Sequence, residues 1–139
     1  MNRQLKVLLI EDNENDAILT LRYLKRHWAE VKHLQVYSID KLTAALKSDW
    51  DVILSDFNLP GFDGMTALRI IRESGINTPF ILISGEVSED VASLMMRLGA
   101  NDYVMKDNLN RLAPAILREL KLGSIKVGEV KSNNEEKTE

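Results

Sequence analysis

Four short apolar runs each lead into residues that can do polar chemistry. Val7-Leu8-Leu9-Ile10 runs into Glu11-Asp12, Val52-Ile53-Leu54 is followed shortly by Asp56, Phe80-Ile81-Leu82-Ile83 by Ser84, and Tyr103-Val104-Met105 by Lys106. Three carboxylates within a few ångströms of one another repel, and take up protons unless a cation intervenes. Oxygen donors of this kind suit a hard divalent ion, and Mg²⁺ characteristically takes one or two carboxylates and keeps several waters. Lys106 adds a fixed positive charge, and the Ser84 hydroxyl can donate to an anionic oxygen. A carboxylate beside a metal, an ammonium and a hydroxyl is the equipment for phosphoryl transfer to an aspartate. The metal and Lys106 would spread the charge of the transferring group, and Ser84 would bond it once attached. Asp56 is the expected acceptor, because it ends the central run and leads into a loop that holds Gly61 and Gly64.

The elements that must bring these residues together are legible from periodicity. Unbroken aliphatic runs of this length predict strands covered on both faces, as in a parallel sheet. Leu34-Gln35-Val36-Tyr37 alternates polar and apolar, which predicts an edge strand. Between the runs lie stripes at helical spacing: Ala17, Leu21, Leu24 and Trp28; Leu42, Ala45 and Leu46; Ala67, Leu68 and Ile71; Val91, Met95 and Leu98; Leu109, Leu112, Ile116 and Leu120. Each stripe is read as core packing. Strand and helix thus alternate five times, and right-handed crossovers give an open α/β sheet with helices on both faces. In such sheets ligands bind outside the carboxyl ends of the strands, where the polar residues above gather. Asn13 or Asn15 can cap the first helix and Ser88 the fourth, Gly75 and Gly99 can end the third and fourth, and Pro114 must sit near the start of the last.

From Gly123 onward the pattern collapses into Gly, Ser, Asn and mixed charge, with three lysines against four glutamates for a net of -1. The expected organisation is one domain over residues 1–122 and a disordered tail over 123–139. No second domain is expected after Leu122, which makes a stand-alone unit.

Composition removes several function classes. The chain has 139 residues, a length that fits one domain, and no cysteine, so disulfides, thiolate zinc sites and a cysteine nucleophile are excluded. A formal net charge of -3 argues against direct nucleic-acid binding by bulk charge. No apolar run approaches the ~20 residues of a membrane-spanning helix. Leu5 to Ile10 runs straight into Glu11 and Asp12, unlike a secretory signal. A cytoplasmic location without membrane insertion is the expectation.

The loop Ser55-Asp56-Phe57-Asn58-Leu59-Pro60-Gly61-Phe62-Asp63-Gly64 resembles the phosphorylation loop of bacterial two-component response-regulator receiver domains. The likeness extends from about Leu5 to Leu122 and takes in Glu11-Asp12, Asp56, Leu59-Pro60 with Gly64, Ser84-Gly85, Gly99-Ala100, Asp102-Tyr103 and Lys106. Any one of these is ordinary, since Asp commonly caps turns and helices, but an ordered set at four strand ends is specific. The resemblance implies a five-stranded parallel sheet in the flavodoxin-like order 2-1-3-4-5. It implies a phosphoacceptor in a phosphorelay rather than an enzyme, with Asp56 phosphorylated by a histidine kinase or phosphotransfer protein. Asp12, Asp56 and the backbone carbonyl of Asn58 would hold Mg²⁺, with Glu11 helping through water. Lys106 would pair with the phosphoryl group, which Asn58 and Glu86 would flank. Ser84 would move toward it and Tyr103 would swing inward, changing the face of the fourth helix, fifth strand and fifth helix that a downstream protein partner reads.

Two positions depart from the family pattern. Glu11 stands where many receivers have a first aspartate, and Asp107 stands where proline usually follows the lysine, often through a cis bond. A non-proline cis bond costs ~3 kcal/mol, so a trans or strained bond is expected there. Asp107 keeps open a receiver-like adaptor that works without phosphorylation. A small aspartyl-phosphate phosphatase would need an acid two residues after its nucleophile, and position 58 is Asn. A flavin module would need a phosphate loop after the first strand, where Glu11-Asp12-Asn13-Glu14 is hostile to a bare phosphate.

Overall fold

The computed structural model describes residues 2–122, and the tail expected at 123–139 lies outside the described residues. Strand β1 covers Asn2–Ile10, β2 Trp28–Val36, β3 Val52–Ser55, β4 Asn58–Leu59, β5 Phe62–Asp63, β6 Phe80–Ser84 and β7 Asp102–Met105. Helices are α1 over Glu14–Lys25, α2 over Ile39–Ala45, α3 over Gly64–Glu73, α4 over Glu89–Leu98 and α5 over residues 112–122. Five strands form one all-parallel sheet in the order β2-β1-β3-β6-β7. Counting these five alone, this is the 2-1-3-4-5 order expected. The two-residue strands β4 and β5 are an unforeseen antiparallel hairpin inside the loop after β3.

The sheet separates two apolar cores, and strand alternation decides which residue enters which. Leu5, Val7 and Leu9 of β1, Val52 and Leu54 of β3, Ile81 and Ile83 of β6 and Val104 of β7 pack with Ala17 and Leu24 of α1 and Ile116 of α5. Leu8 and Ile10, Ile53, and Phe80 and Leu82 face the other way, against Leu42 of α2, Ala67, Leu68 and Ile71 of α3 and Met95 of α4. Strands β3 and β6, in the middle, are buried at every residue, which is why their sequences read as unbroken apolar runs.

The local signals mostly hold. Asn13, rather than Asn15, caps α1 by accepting the Asp16 N–H, and Ser88 caps α4 by accepting that of Val91. Gly75 and Gly99 take positive φ just beyond α3 and α4, and Pro114 lies in the first turn of α5. Met95 is buried and Met96, about 100° further round the helix, is exposed. Trp28 is a correction: it opens β2 instead of continuing α1. It still reaches the same core, so its apolarity was informative and its helical register was coincidental. Leu98 is likewise exposed rather than packed.

One polar side chain ties the amino end of the sheet together. The Arg72 guanidinium donates from Nε and Nη2 to the Gly99 carbonyl, from Nη1 to the carbonyls of Ile76 and Thr78, and from Nη2 to Asn101 Oδ1, at 2.8–3.2 Å. All five guanidinium donors are used, which joins α3 to the segments entering β6 and β7. Arg72→Met strands three carbonyls and is expected to cost ~2–4 kcal/mol in urea denaturation. Arg72→Lys, with three donors and a different geometry, should recover less than half of that loss. A loss below about 0.5 kcal/mol for Arg72→Met, the scale of an ordinary surface substitution, would contradict this role.

Candidate functional site

The sheet continues one residue beyond its strands at the carboxyl edge. The Glu11 N–H donates to the Val36 carbonyl and the Asp56 N–H to the Ile10 carbonyl, both as ladder bonds. Alternation therefore still applies at these positions. Glu11 follows the parity of Leu9, Asp56 that of Leu54 and Lys106 that of Val104, so all three project toward the layer of α1 and α5. Ser84 and Tyr103 have the opposite parity, that of Leu82, and Tyr103 packs with the core beneath α2, α3 and α4.

Lys106 is the centre of the resulting cluster. Its Nζ lies 3.1 Å from Glu11 Oε1, 3.1 Å from Asp56 Oδ2 and 2.5 Å from Asp16 Oδ2. Glu11, Asp12 and Asp56 each present a carboxylate oxygen, and these oxygens lie within 4.8 Å of one another. Glu11 is buried, Asp56 half-buried and Asp12 exposed. The Glu11 Oε2 accepts the Asn13 N–H at 3.1 Å, and Asp56 Oδ1 accepts the Phe57 N–H at 2.7 Å. Both carboxylates are thus oriented from two sides.

Burial pushes the Glu11 carboxyl up to about 7, and the charge on Asp56 adds to this against the bonds from Asn13 and Lys106. For Lys106, burial alone would favour the neutral amine. Its bonds to Asp16, Glu11 and Asp56 outweigh burial and hold the ammonium above its ordinary range. Four carboxylates and one ammonium leave a formal excess of three negative charges. Two like charges no more than 4.8 Å apart at an effective dielectric of ~20 repel by at least ~3 kcal/mol. A site made only of hard oxygen donors, with one acid already driven toward protonation, fits a divalent cation such as Mg²⁺.

Of the residues read from sequence, the structure brings Glu11, Asp12, Asp56 and Lys106 together. Ser84 stands buried at the end of β6 on the same edge, and Asn58 opens β4, two residues past Asp56. Tyr103 is outside the ion cluster, its hydroxyl donating to Met105 Sδ. Among the described residues there is no cis peptide bond, so Lys106–Asp107 is trans, and β7 passes directly into a 3-10 turn over Lys106–Arg111.

Two contributors were not assigned from sequence. Asp16 reaches Lys106 from the first turn of α1, and only its position four residues after Asp12 hinted at it. Gly64 entered the sequence reading only as part of the loop motif, without a structural role. A Cβ there would sit 2.9 Å from the Asp56 carbonyl oxygen and 3.2 Å from Phe57 Cα, because the start of α3 is held against the Asp56–Phe57 backbone by the Gly64 N–H bond to the Phe57 carbonyl at 2.7 Å.

Residues 7–117 match the family model of the response regulator receiver domain. The chain belongs to this family. It is 36% identical over 107 residues to the C4-dicarboxylate transport transcriptional regulatory protein DctD of Pseudomonas aeruginosa, a match covering 74% of this chain and 22% of that protein. The cell cycle transcriptional regulator CtrA of Caulobacter vibrioides is 32% identical, with 96% of this chain and 61% of that protein covered. The chain therefore spans between about a fifth and three fifths of these relatives. A signal receiver domain from Vibrio parahaemolyticus superposes with a TM-score of 0.78 at 28% identity, covering 88% of this chain and 95% of that one. The phosphorylated cyanobacterial phytochrome response regulator RcpA superposes with a TM-score of 0.69 at 27% identity, covering 81% and 89%.

As a receiver domain the chain acts in two-component signalling, and receivers work with histidine kinases or phosphotransfer proteins and bind Mg²⁺. The receiver assignment leaves no role for the phosphatase or flavin readings. Among the described residues no helix is long and apolar enough to cross a membrane. The Gly64 contact yields a direct test: Gly64→Ala must displace the backbone of Asp56, at an overpacking cost of ~1–3 kcal/mol. The variant should melt lower than wild type and show shifted amide resonances at Asp56 and Phe57. An unchanged melting temperature and spectrum would mean that the loop absorbs a methyl group freely.

Proposed function

We propose that Asp56 is the phosphoacceptor of this receiver, within a functional unit spanning residues 1–122. The observation that carries this reading is that one half-buried carboxylate shares an ammonium with Glu11 and stands within the oxygen cluster of Glu11 and Asp12. Asp12, Asp56 and the Asn58 carbonyl would hold Mg²⁺, with Glu11 assisting through a water, and the ion would supply positive charge against the phosphoryl oxygens.

A carboxylate oxygen of Asp56 attacks phosphorus, a P–O bond forms, and the bond from phosphorus to the donor imidazole nitrogen breaks. The leaving imidazole takes up the proton it needs. Lys106 is already hydrogen-bonded to Asp56 and stays beside the new dianion, so little reorganisation is required as charge develops. Ser84, on the opposite side by parity, bonds a phosphoryl oxygen, and Tyr103 turns inward behind it. The surface made by α4, β7 and α5 then changes for a downstream protein partner. No residue of this unit is assigned to nucleic acid or to membrane insertion, and the working compartment is the cytoplasm. The phosphoryl group returns to water through the same site, without turnover of an external substrate.

Incubation with a small phosphodonor and Mg²⁺, followed by intact-mass measurement and peptide mapping, should add one phosphoryl group at Asp56. The addition should disappear in Asp56→Asn and, when Mg²⁺ is chelated, should slow by about a hundredfold or more. In Asp12→Ala, Mg²⁺ should raise the melting temperature much less than in wild type. No adduct, or one mapped elsewhere, would leave the chain as an adaptor that works without phosphorylation.

A further inference from the structure

We propose that Asp16 is a positioning residue for phosphoryl transfer, anchoring the Lys106 ammonium from α1 so that it stays at the acceptor when a cation is bound. The inference rests on Asp56 being the acceptor and adds a residue to that chemistry.

An ammonium has three N–H donors, and Lys106 meets three carboxylates. Two of them, Glu11 and Asp56, belong to the oxygen cluster that fits a divalent cation, and the third, Asp16, does not. Charge entering that cluster weakens the hold of Glu11 and Asp56 on the ammonium and repels it directly. Asp16 keeps its full charge for Lys106, and its contact is the shortest of the three, at 2.5 Å against 3.1 Å.

Asp16 is itself well fixed. It sits in the first turn of α1, where a carboxylate is favoured by the helix dipole, and its own N–H is held by the Asn13 cap. The lysine end of the contact has weaker backbone support. Lys106 opens a 3-10 turn whose interior is interrupted at Asn108, with φ -136 and ψ 51, and that turn has no side-chain cap at its start. The rigid partner therefore places the less constrained one. When Asp56 carries the phosphoryl group, the donor that Lys106 gave to Asp56 passes to a phosphoryl oxygen, while its bond to Asp16 remains as the pivot.

The test is a double-mutant cycle on the full chain, with Asp16→Asn, Lys106→Met and the double variant. Phosphorylation by a small phosphodonor is followed at saturating Mg²⁺, with thermal melts as the check on folding. Asp16→Asn should slow phosphorylation about tenfold when Lys106 is present and leave the rate unchanged in the Lys106→Met background. A second readout needs no chemistry: NMR of the lysine ammonium groups should show Lys106 protected from exchange in wild type, with and without Mg²⁺, and should lose that signal with Mg²⁺ in Asp16→Asn. Normal wild-type uptake with an undiminished Asp16→Asn rate, an equal loss in both backgrounds, or a protected Lys106 ammonium in Asp16→Asn with Mg²⁺ overturns the positioning role alone. A wild-type chain that takes up no phosphoryl group overturns the acceptor assignment and this role with it.

Discussion

The site is organised around a single positive charge among acids that would otherwise drive one another apart. At an effective dielectric of ~20, each 3.1 Å contact between Lys106 and a carboxylate is worth about 5 kcal/mol of attraction, set against at least ~3 kcal/mol of repulsion between two acids no more than 4.8 Å apart. One ammonium can therefore hold Glu11 and Asp56 in place, but it cannot neutralise them together with Asp12 and Asp16. The cluster is held together yet left with excess negative charge. Those two properties, preorganisation and an unfilled demand for positive charge, are what a site for a divalent cation and a transferring phosphoryl group requires.

The fold serves this arrangement through parity as much as through topology. The order β2-β1-β3-β6-β7 sets β1, β3, β6 and β7 side by side and parallel, so the four strand ends that carry the site open on one edge. Parity then sorts what emerges there. The acids on β1 and β3 and the lysine on β7 point to the side where α1 supplies Asp16, while Ser84 and Tyr103 point to the side where α2, α3 and α4 pack. Charge handling, with the proposed acceptor Asp56 among it, and the residues expected to respond to phosphorylation are thus on opposite faces of one sheet. A change at Asp56 therefore acts directly on its ion pair with Lys106 on the first face, and reaches the second face across the sheet edge.

Much of this was legible in the sequence, for identifiable reasons. The middle strands are buried on both sides, so their unbroken runs could be read directly, and the caps at Asn13 and Ser88 rest on local side-chain chemistry. Glu11, Asp12, Asp56 and Lys106 stand out as the polar residues directly after each apolar run, a pattern that needs only the alternation of elements to be seen. Trp28 was misplaced because helical spacing and burial in a strand make the same demand on one apolar residue. The β4–β5 hairpin was missed because two-residue strands leave no periodic signal. Arg72 and Asp16 were missed for a different reason: their partners are backbone carbonyls and a lysine 90 residues away, and nothing local marks a side chain for such contacts.

The close packing at Gly64 and the trans bond after Lys106 bear on the two ends of the same ion cluster. At Asp56 the backbone is fixed sterically, because α3 begins so near that no side chain fits between them. At Lys106 the backbone enters a short, interrupted 3-10 turn, and the ammonium is fixed electrostatically instead, by carboxylates from three other segments. A long flexible side chain held by ion pairs can follow a charge that grows on its neighbour, which a sterically locked group cannot do. In the proposed transfer the rigid acceptor and the adjustable cation are complementary: the first keeps the attacking oxygen aligned, and the second follows the added charge while its contact with Asp16 persists.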